Sequence, residues 1–158
     1  MKTIILLLFA SLFFSCNSSQ KDIKKLEARL DSVQKNAYKP GFGEFMSNIQ
    51  VHHAKLWFAG QNNNWPLADF EIHEIMETVD ALKKYQADRV ETNSLSMIQG
   101  PLDSVNGSIE KKDPLAFKNS FVLLTNTCNA CHKAVNFSFN VVKIPESVPF
   151  TNQEFKAP

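Results

Sequence analysis

The sequence predicts an all-α protein: an antiparallel four-helix bundle with an N-terminal stalk helix and a C-terminal coil tail. Three observations predict it. Apolar residues recur at helical spacings of three and four between residues 44 and 135. Two of these stretches open on a capping residue with proline close behind, Asn64-Trp65-Pro66 and Asp113-Pro114. No β-hairpin signal occurs anywhere in the chain. Helices joined by short links favour antiparallel neighbours.

The first segment, residues 1–15, reads as an address. Met1-Lys2 is a short basic start, and the apolar run Ile4 to Phe14, broken by Ala10 and Ser11, is too short to span a bilayer. The run closes on Leu12-Phe13-Phe14-Ser15-Cys16, which resembles a bacterial lipobox, with Phe14 a departure from the commonest pattern. The resemblance implies lipidation at Cys16 and an exported, membrane-anchored lipoprotein facing the periplasm or the cell surface. An ordinary secretory signal with an incidental cysteine is the alternative, and it exports the chain as well.

Residues 16–40 read as a tether and an amphipathic stalk helix. Ile23, Leu26, Leu30 and Val33 fall at spacings of 3, 4 and 3, two heptads of an a/d stripe. Two heptads are short for a coiled coil, so a homo-oligomer through residues 22–35 and a helix without a partner chain are both open. Pro40-Gly41-Phe42-Gly43 ends the segment.

Residues 41–136 form the predicted four-helix domain. The first helix covers about 44–59, with Phe45, Met46, Ile49, His53, Leu56 and Trp57 on one broad stripe. The second opens at Trp65-Pro66 and carries Ile72, Ile75, Met76, Val79 and Leu82 to about residue 87. The third covers roughly 92–111, interrupted or started late by Gly100-Pro101. The fourth opens at Asp113-Pro114 and runs through Phe117, Phe121, Leu124 and Cys128 to about residue 135. Residues 137–158, with Pro145, Pro149 and Pro158, read as an ordered tail packed on the bundle.

Charge excludes some functions. Removing residues 1–15 takes away Lys2, leaving 16 of the 17 basic side chains against 16 acidic ones. That balance offers no field for nucleic acid and no polybasic membrane patch, so membrane attachment rests on a lipid at Cys16.

The chemistry-bearing motif is Cys128-Asn129-Ala130-Cys131-His132, C-x-x-C-H, the covalent attachment signature of haem c. Two thiols three residues apart can each add to a vinyl group on one porphyrin edge. The following histidine can then reach the iron as proximal ligand. A thioredoxin-like pair would want a βαβ context, and a zinc site would want a fourth cysteine or a nearby Cys/His partner; the chain has neither. A structural disulfide or a metal site stays open. A di-iron site needs Glu-x-x-His pairs, and Glu71, Glu74 and Glu77 are not followed three residues later by histidine, so they read as a solvated face.

With this motif near the end of a last helix, residues 43–136 resemble the class II cytochromes c, cytochrome c-prime and its six-coordinate relatives. The specific match is Cys128, Cys131 and His132; the rest is a match of layout. The resemblance implies one covalently attached haem, held by Cys128 and Cys131, with His132 as proximal iron ligand. The mitochondrial-type class is disfavoured, because it places its methionine ligand well downstream and no methionine follows Met97 here.

A distal ligand should come from near the start of the first or third helix. Met46 lies about three residues into the first helix, which resembles the thioether ligand position of the six-coordinate relatives; Met97 is a second candidate. His53 shares a face with Met46 but lies about 10 Å further along the axis, at about 1.5 Å per residue. His52 and His53 are expected on the surface or in hydrogen bonds on the propionate side, and His73 on the helix surface. The leading expectation is an electron-transfer protein with His132/Met46 ligation and an unidentified redox partner. A five-coordinate binder or sensor of NO or CO is the alternative, with Met46 as packing. A haem-free lipoprotein with a Cys128–Cys131 disulfide is a third reading. No acid/base constellation surrounds the motif, so no enzyme is expected.

Overall fold

The computed structural model describes residues 20–33, 37 and 39–157. The predicted signal segment, Cys16 and its lipidation, and Pro158 lie outside the described residues. The chain divides into two units between Lys39 and Pro40. In the first, residues 20–33 are helical (α1), and its stripe of Ile23, Leu26, Leu30 and Val33 is exposed.

The second unit contains α2 (Phe42–Gln61), α3 (Trp65–Tyr85), a 3-10 helix (Val90–Leu95), α4 (Ser96–Glu110) and α5 (Pro114–Ala134). No strand occurs among the described residues, and the fold class is all-α. The expected caps form. Asn64 accepts from the Leu67 amide at 3.3 Å, and Asp113 accepts from Leu115 and Ala116 at 3.0 Å each. Each satisfies amides that the first helical turn leaves without carbonyl partners.

Three helices end in one motif without a glycine. Asn63, Lys112 and Asn136 take φ of 54°, 53° and 66°. In each case the next residue's amide reaches back five residues, the last being Phe137 to the His132 carbonyl at 2.7 Å. This is the Schellman arrangement, with a left-handed residue closing the helix. Asparagine tolerates that conformation; Lys112 carries its full steric cost.

The third helix differs from expectation. The break falls at Leu95–Ser96, and Gly100-Pro101 lies inside α4. Pro101 forfeits only the bond its amide would make to the Met97 carbonyl. Burial of Ile98, Leu102 and Val105 on both sides of it carries the helix through.

One apolar core joins these helices, with Leu56, Ile72, Val79, Leu102, Phe117 and Phe121 essentially without solvent contact. α2 packs on α3, α3 on α4, α4 on α5, and α5 on α2. The α2–α5 contacts set the site. A side chain on Gly60 would run into the Phe117 ring. One step further, the Trp57 and Phe121 rings lie 4.8 Å apart, and then His53 meets Thr125 at 2.9 Å. These pairs climb one helix as they descend the other. The tail is held by Phe155, which is buried with its ring 5.8 Å from Phe58, and by the Asn64 amide group, 3.2 Å from the Lys156 carbonyl.

Candidate cofactor site

Beyond the His53–Thr125 contact, α2 and α5 line a cavity of about 320 Å³. This lies at the lower end of the roughly 300–1,000 Å³ typical of cofactor sites. Cys128, Cys131 and His132 line it from α5, Met46 and His53 from α2, and Leu95 from the 3-10 helix. The expected attachment residues and the preferred distal candidate therefore face one space. Met97 does not line it and is exposed.

Cys128 and Cys131 are free thiols. Burial pushes Cys128 up to about 11 and raises Cys131 as well. Both lie in the last turns of α5, the negative end of the helix dipole, where no helix N-terminus favours a thiolate. They are neutral thiols at pH 7, the opposite of an activated redox pair. Cys131 Sγ sits 3.9 Å from the Ser94 carbonyl.

His132 is oriented from behind. Its Nδ1–H donates to the Asn140 carbonyl at 2.7 Å, which leaves the Nε2 lone pair available. This is how a metal-ligating imidazole is commonly held, with one ring nitrogen fixed by an acceptor and the other free to ligate. Asn129, inside the motif, fixes that acceptor. Its amide group donates to the Val142 carbonyl and its oxygen accepts from the Val142 amide, both at 2.8 Å. The Schellman turn at Asn136 reverses the chain so that residues 137–142 cross beside the end of α5. Nothing in the sequence pattern pointed to Asn129 or Asn140, because the partners are main-chain atoms of an irregular tail.

The histidines of α2 depart from expectation. His53 is buried, its ring 4.5 Å from Phe121, and burial lowers its pKa to about 4. The helical stripe that includes Ile49 and Leu56 carries it inward. Thr125 Oγ1 donates to the Phe121 carbonyl at 2.9 Å, so His53 Nε2 must be the donor to Thr125. His52 is also largely buried, its Nδ1 2.6 Å from Glu71 Oε2. Glu71 is correspondingly no part of a solvated face. It shares the inward stripe of α3 with Ile72 and Ile75, with Lys55 3.9 Å from its other oxygen. Glu77 is exposed, and His73 lies on the surface as expected, bonded to the Asp69 carbonyl at 2.8 Å.

Arg89 and Glu91 add a polar edge to the cavity that sequence reasoning missed. They pair with each other, and the Arg89 guanidinium lies 5.5 Å over the Phe42 ring.

Among the described residues no group of three or more His, Cys, Asp and Glu side chains is arranged to hold a metal ion by itself. No helix among them is long and apolar enough to cross a membrane. Comparison with protein-family models, curated proteins and solved structures gives no match for this chain. The residues fit a covalently held haem: two neutral thiols and an imidazole with a free Nε2 line one wall of the cavity, and a thioether lines it from α2.

Proposed function

We propose that the protein is a monohaem c-type cytochrome, a lipid-anchored electron carrier. The observation that carries this reading is the His132–Asn140 hydrogen bond beside Cys128 and Cys131 in one cavity. C-x-x-C-H supplies the residue types; the bond supplies the tautomer that a proximal ligand needs. Cys128 and Cys131 would hold one haem c by thioether bonds, and His132 would ligate its iron. The haem supplies one-electron chemistry at its iron when bound.

Met46 is the proposed distal ligand, and the α2–α5 register supports it. Seven residues separate His53 from Met46, and seven separate Thr125 from His132. The step that pairs Trp57 with Phe121 and His53 with Thr125, continued, brings Met46 level with His132. His53 spends its Nε2–H on Thr125 and stays two turns away. A thioether opposite an imidazole raises the potential. The same opposed stepping, with short links between successive helices, supports reading α2 to α5 as an antiparallel four-helix bundle of the class II cytochrome kind.

Export and anchoring rest on residues 1–16. Replacing Cys16 with serine should release the protein from membranes or leave it unprocessed. Recovery of intact wild-type protein by high salt without detergent would oppose a lipid. The gas-binding alternative takes its support from Met46 packing against the core cluster, which lets it act as a space-filler.

Covalent attachment is tested by acid-acetone extraction of protein matured in a host that attaches haem c. The haem should stay with the polypeptide, and the C128A/C131A double variant should lose it. A colourless wild-type protein would end the cytochrome reading and leave the disulfide lipoprotein.

A further inference from the structure

The cavity has one charged edge. Among the described residues that line it, Arg89 is the only permanent cation and Glu91 the only carboxylate. The link that carries them is braced. The Arg89 amide donates to the Gln86 carbonyl at 3.1 Å, and the Thr92 hydroxyl donates to the same carbonyl at 2.6 Å. Gln86 is itself buried, with its side-chain amide 2.6 Å from the Pro40 carbonyl at the approach to α2. The guanidinium is fixed as well. Its Nε and Nη2 donate to the Glu91 carboxylate at 3.1 and 2.5 Å, and one face lies over the Phe42 ring. Those hydrogen bonds hold the Glu91 carboxyl below its usual range, so the pair is ionised at pH 7. Glu91 occupies one edge of the planar fork, and the Nη1 edge is left for a second acceptor.

Placement says what that acceptor is. The 3-10 helix lies between the thiols and the guanidinium: its Ser94 carbonyl is 3.9 Å from Cys131 Sγ, and Arg89 caps its other end. From Arg89 to Ser94 the rise is about 10 Å, at about 2 Å per residue. A haem carries its vinyl groups on one edge and its two propionate carboxylates on the opposite edge. The thiols thus stand at one end of this element and a cation at the other. Cys128 and Cys131 are neutral and largely apolar in their surroundings, so they do not by themselves select which edge of a porphyrin they meet.

We propose that Arg89, held by Glu91 and Phe42, receives a propionate carboxylate and so turns the vinyl edge of the porphyrin toward Cys128 and Cys131 before any covalent bond forms. The proposal rests on the cytochrome reading and deepens it, because it assigns the orientation of the cofactor to a residue outside C-x-x-C-H. Arg89 is a positioning residue here: it touches the carboxylate, not the iron. A planar guanidinium recognises a carboxylate through charge-assisted, directional hydrogen bonds, which fix an angle as well as a place. Glu91 and Phe42 hold that plane in advance, so little side-chain freedom is lost when the carboxylate arrives.

Binding of metal-free protoporphyrin IX and of its dimethyl ester to the full chain, purified without haem and with its thiols reduced, tests this. Both porphyrins bring the same macrocycle and the same vinyl groups; only the free acid brings carboxylates. Porphyrin fluorescence reads the two affinities at pH 7. The free acid should bind about tenfold more tightly, equivalent to about 1.4 kcal/mol. Arg89→Gln should lose that preference and leave the affinity for the ester unchanged, and Arg89→Lys should keep part of it. Arg89 is half exposed, so these changes leave the core intact, and circular dichroism checks that they do. A preference that persists in Arg89→Gln overturns the proposal, as does equal binding of acid and ester by the wild type or no binding of either. Acid-acetone extraction of protein from a host that attaches haem c reads the other level of the argument. Covalent haem together with any of those results leaves the cytochrome and removes the part given to Arg89. An Arg89-dependent preference in a chain that never takes covalent haem sinks the cytochrome reading and leaves a porphyrin site that reads carboxylates.

Discussion

His53 donates its Nε2–H to the hydroxyl of Thr125 across 2.9 Å, and this contact sets the register of α2 against α5. Burial lowers the His53 pKa from 6.5 to about 4, so protonation favours the unfolded chain. Between those values the unfolded state binds more protons, and stability rises with pH. The contribution is complete above about pH 6.5, drains away as pH falls toward 4, and is constant below.

Chemical denaturation at pH 7 and pH 5 measures this. The wild type should lose about 2 kcal/mol from His53 between the two values. His53→Gln, which keeps a donor for Thr125 and cannot titrate, should flatten that part of the profile. An equally steep profile in the variant would show that another group carries the acid sensitivity.

Asn129 acts through Val142 and Asn140 on His132. Asn129→Ala removes both 2.8 Å bonds to Val142 and loosens the carbonyl that receives the His132 Nδ1–H. A weaker acceptor makes the imidazole a poorer electron donor, so the reduction potential should rise while the haem stays attached. Stability should fall by about 1–3 kcal/mol, the cost of stranding polar groups. A redox titration that gives the wild-type potential for a folded Asn129→Ala would confine Asn129 to a structural part.

Two backbone positions test the fold independently of any cofactor. Gly60 lets α2 approach the Phe117 ring, so Gly60→Ala should destabilise by about 1–3 kcal/mol or more through overpacking. Lys112 holds a left-handed conformation that glycine adopts without strain, so Lys112→Gly should stabilise by about 1 kcal/mol. Thermal unfolding reads both. A neutral Gly60→Ala would mean that α2 and α5 are not as close as the structure has them.

Much of this was legible in the sequence because it depends on local chemistry. Asn64 and Asp113 announced two helix starts, and the spacing of Ile72, Ile75, Val79 and Leu82 announced the buried face of α3. Cys128, Cys131 and His132 announced the site. What was not legible depends on what lies across the fold. Glu71 looks like one of three surface glutamates until His52 and Lys55 are seen against it. Met97 stood behind Met46 as a second distal candidate until one lined the cavity and the other did not. Gly100-Pro101 looked like an interruption or a late start of the third helix because the burial that carries α4 through it comes from other helices. Asn129 and Asn140 act through main-chain atoms of a tail with no periodicity.

The most direct test of the central claim is the absorption spectrum of the purified protein, oxidised and reduced, for wild type and Met46→Ala. The account predicts a covalent c-type haem that is low-spin in both states, with the weak long-wavelength charge-transfer band of a thioether-ligated ferric haem. Met46→Ala should lose that band, lower the potential and bind carbon monoxide, while His53→Gln keeps the wild-type spectrum. A wild-type protein already high-spin and open to carbon monoxide would make Met46 packing and move the gas-binding reading ahead. A low-spin spectrum that survives Met46→Ala but not His53→Gln would contradict the α2–α5 register itself.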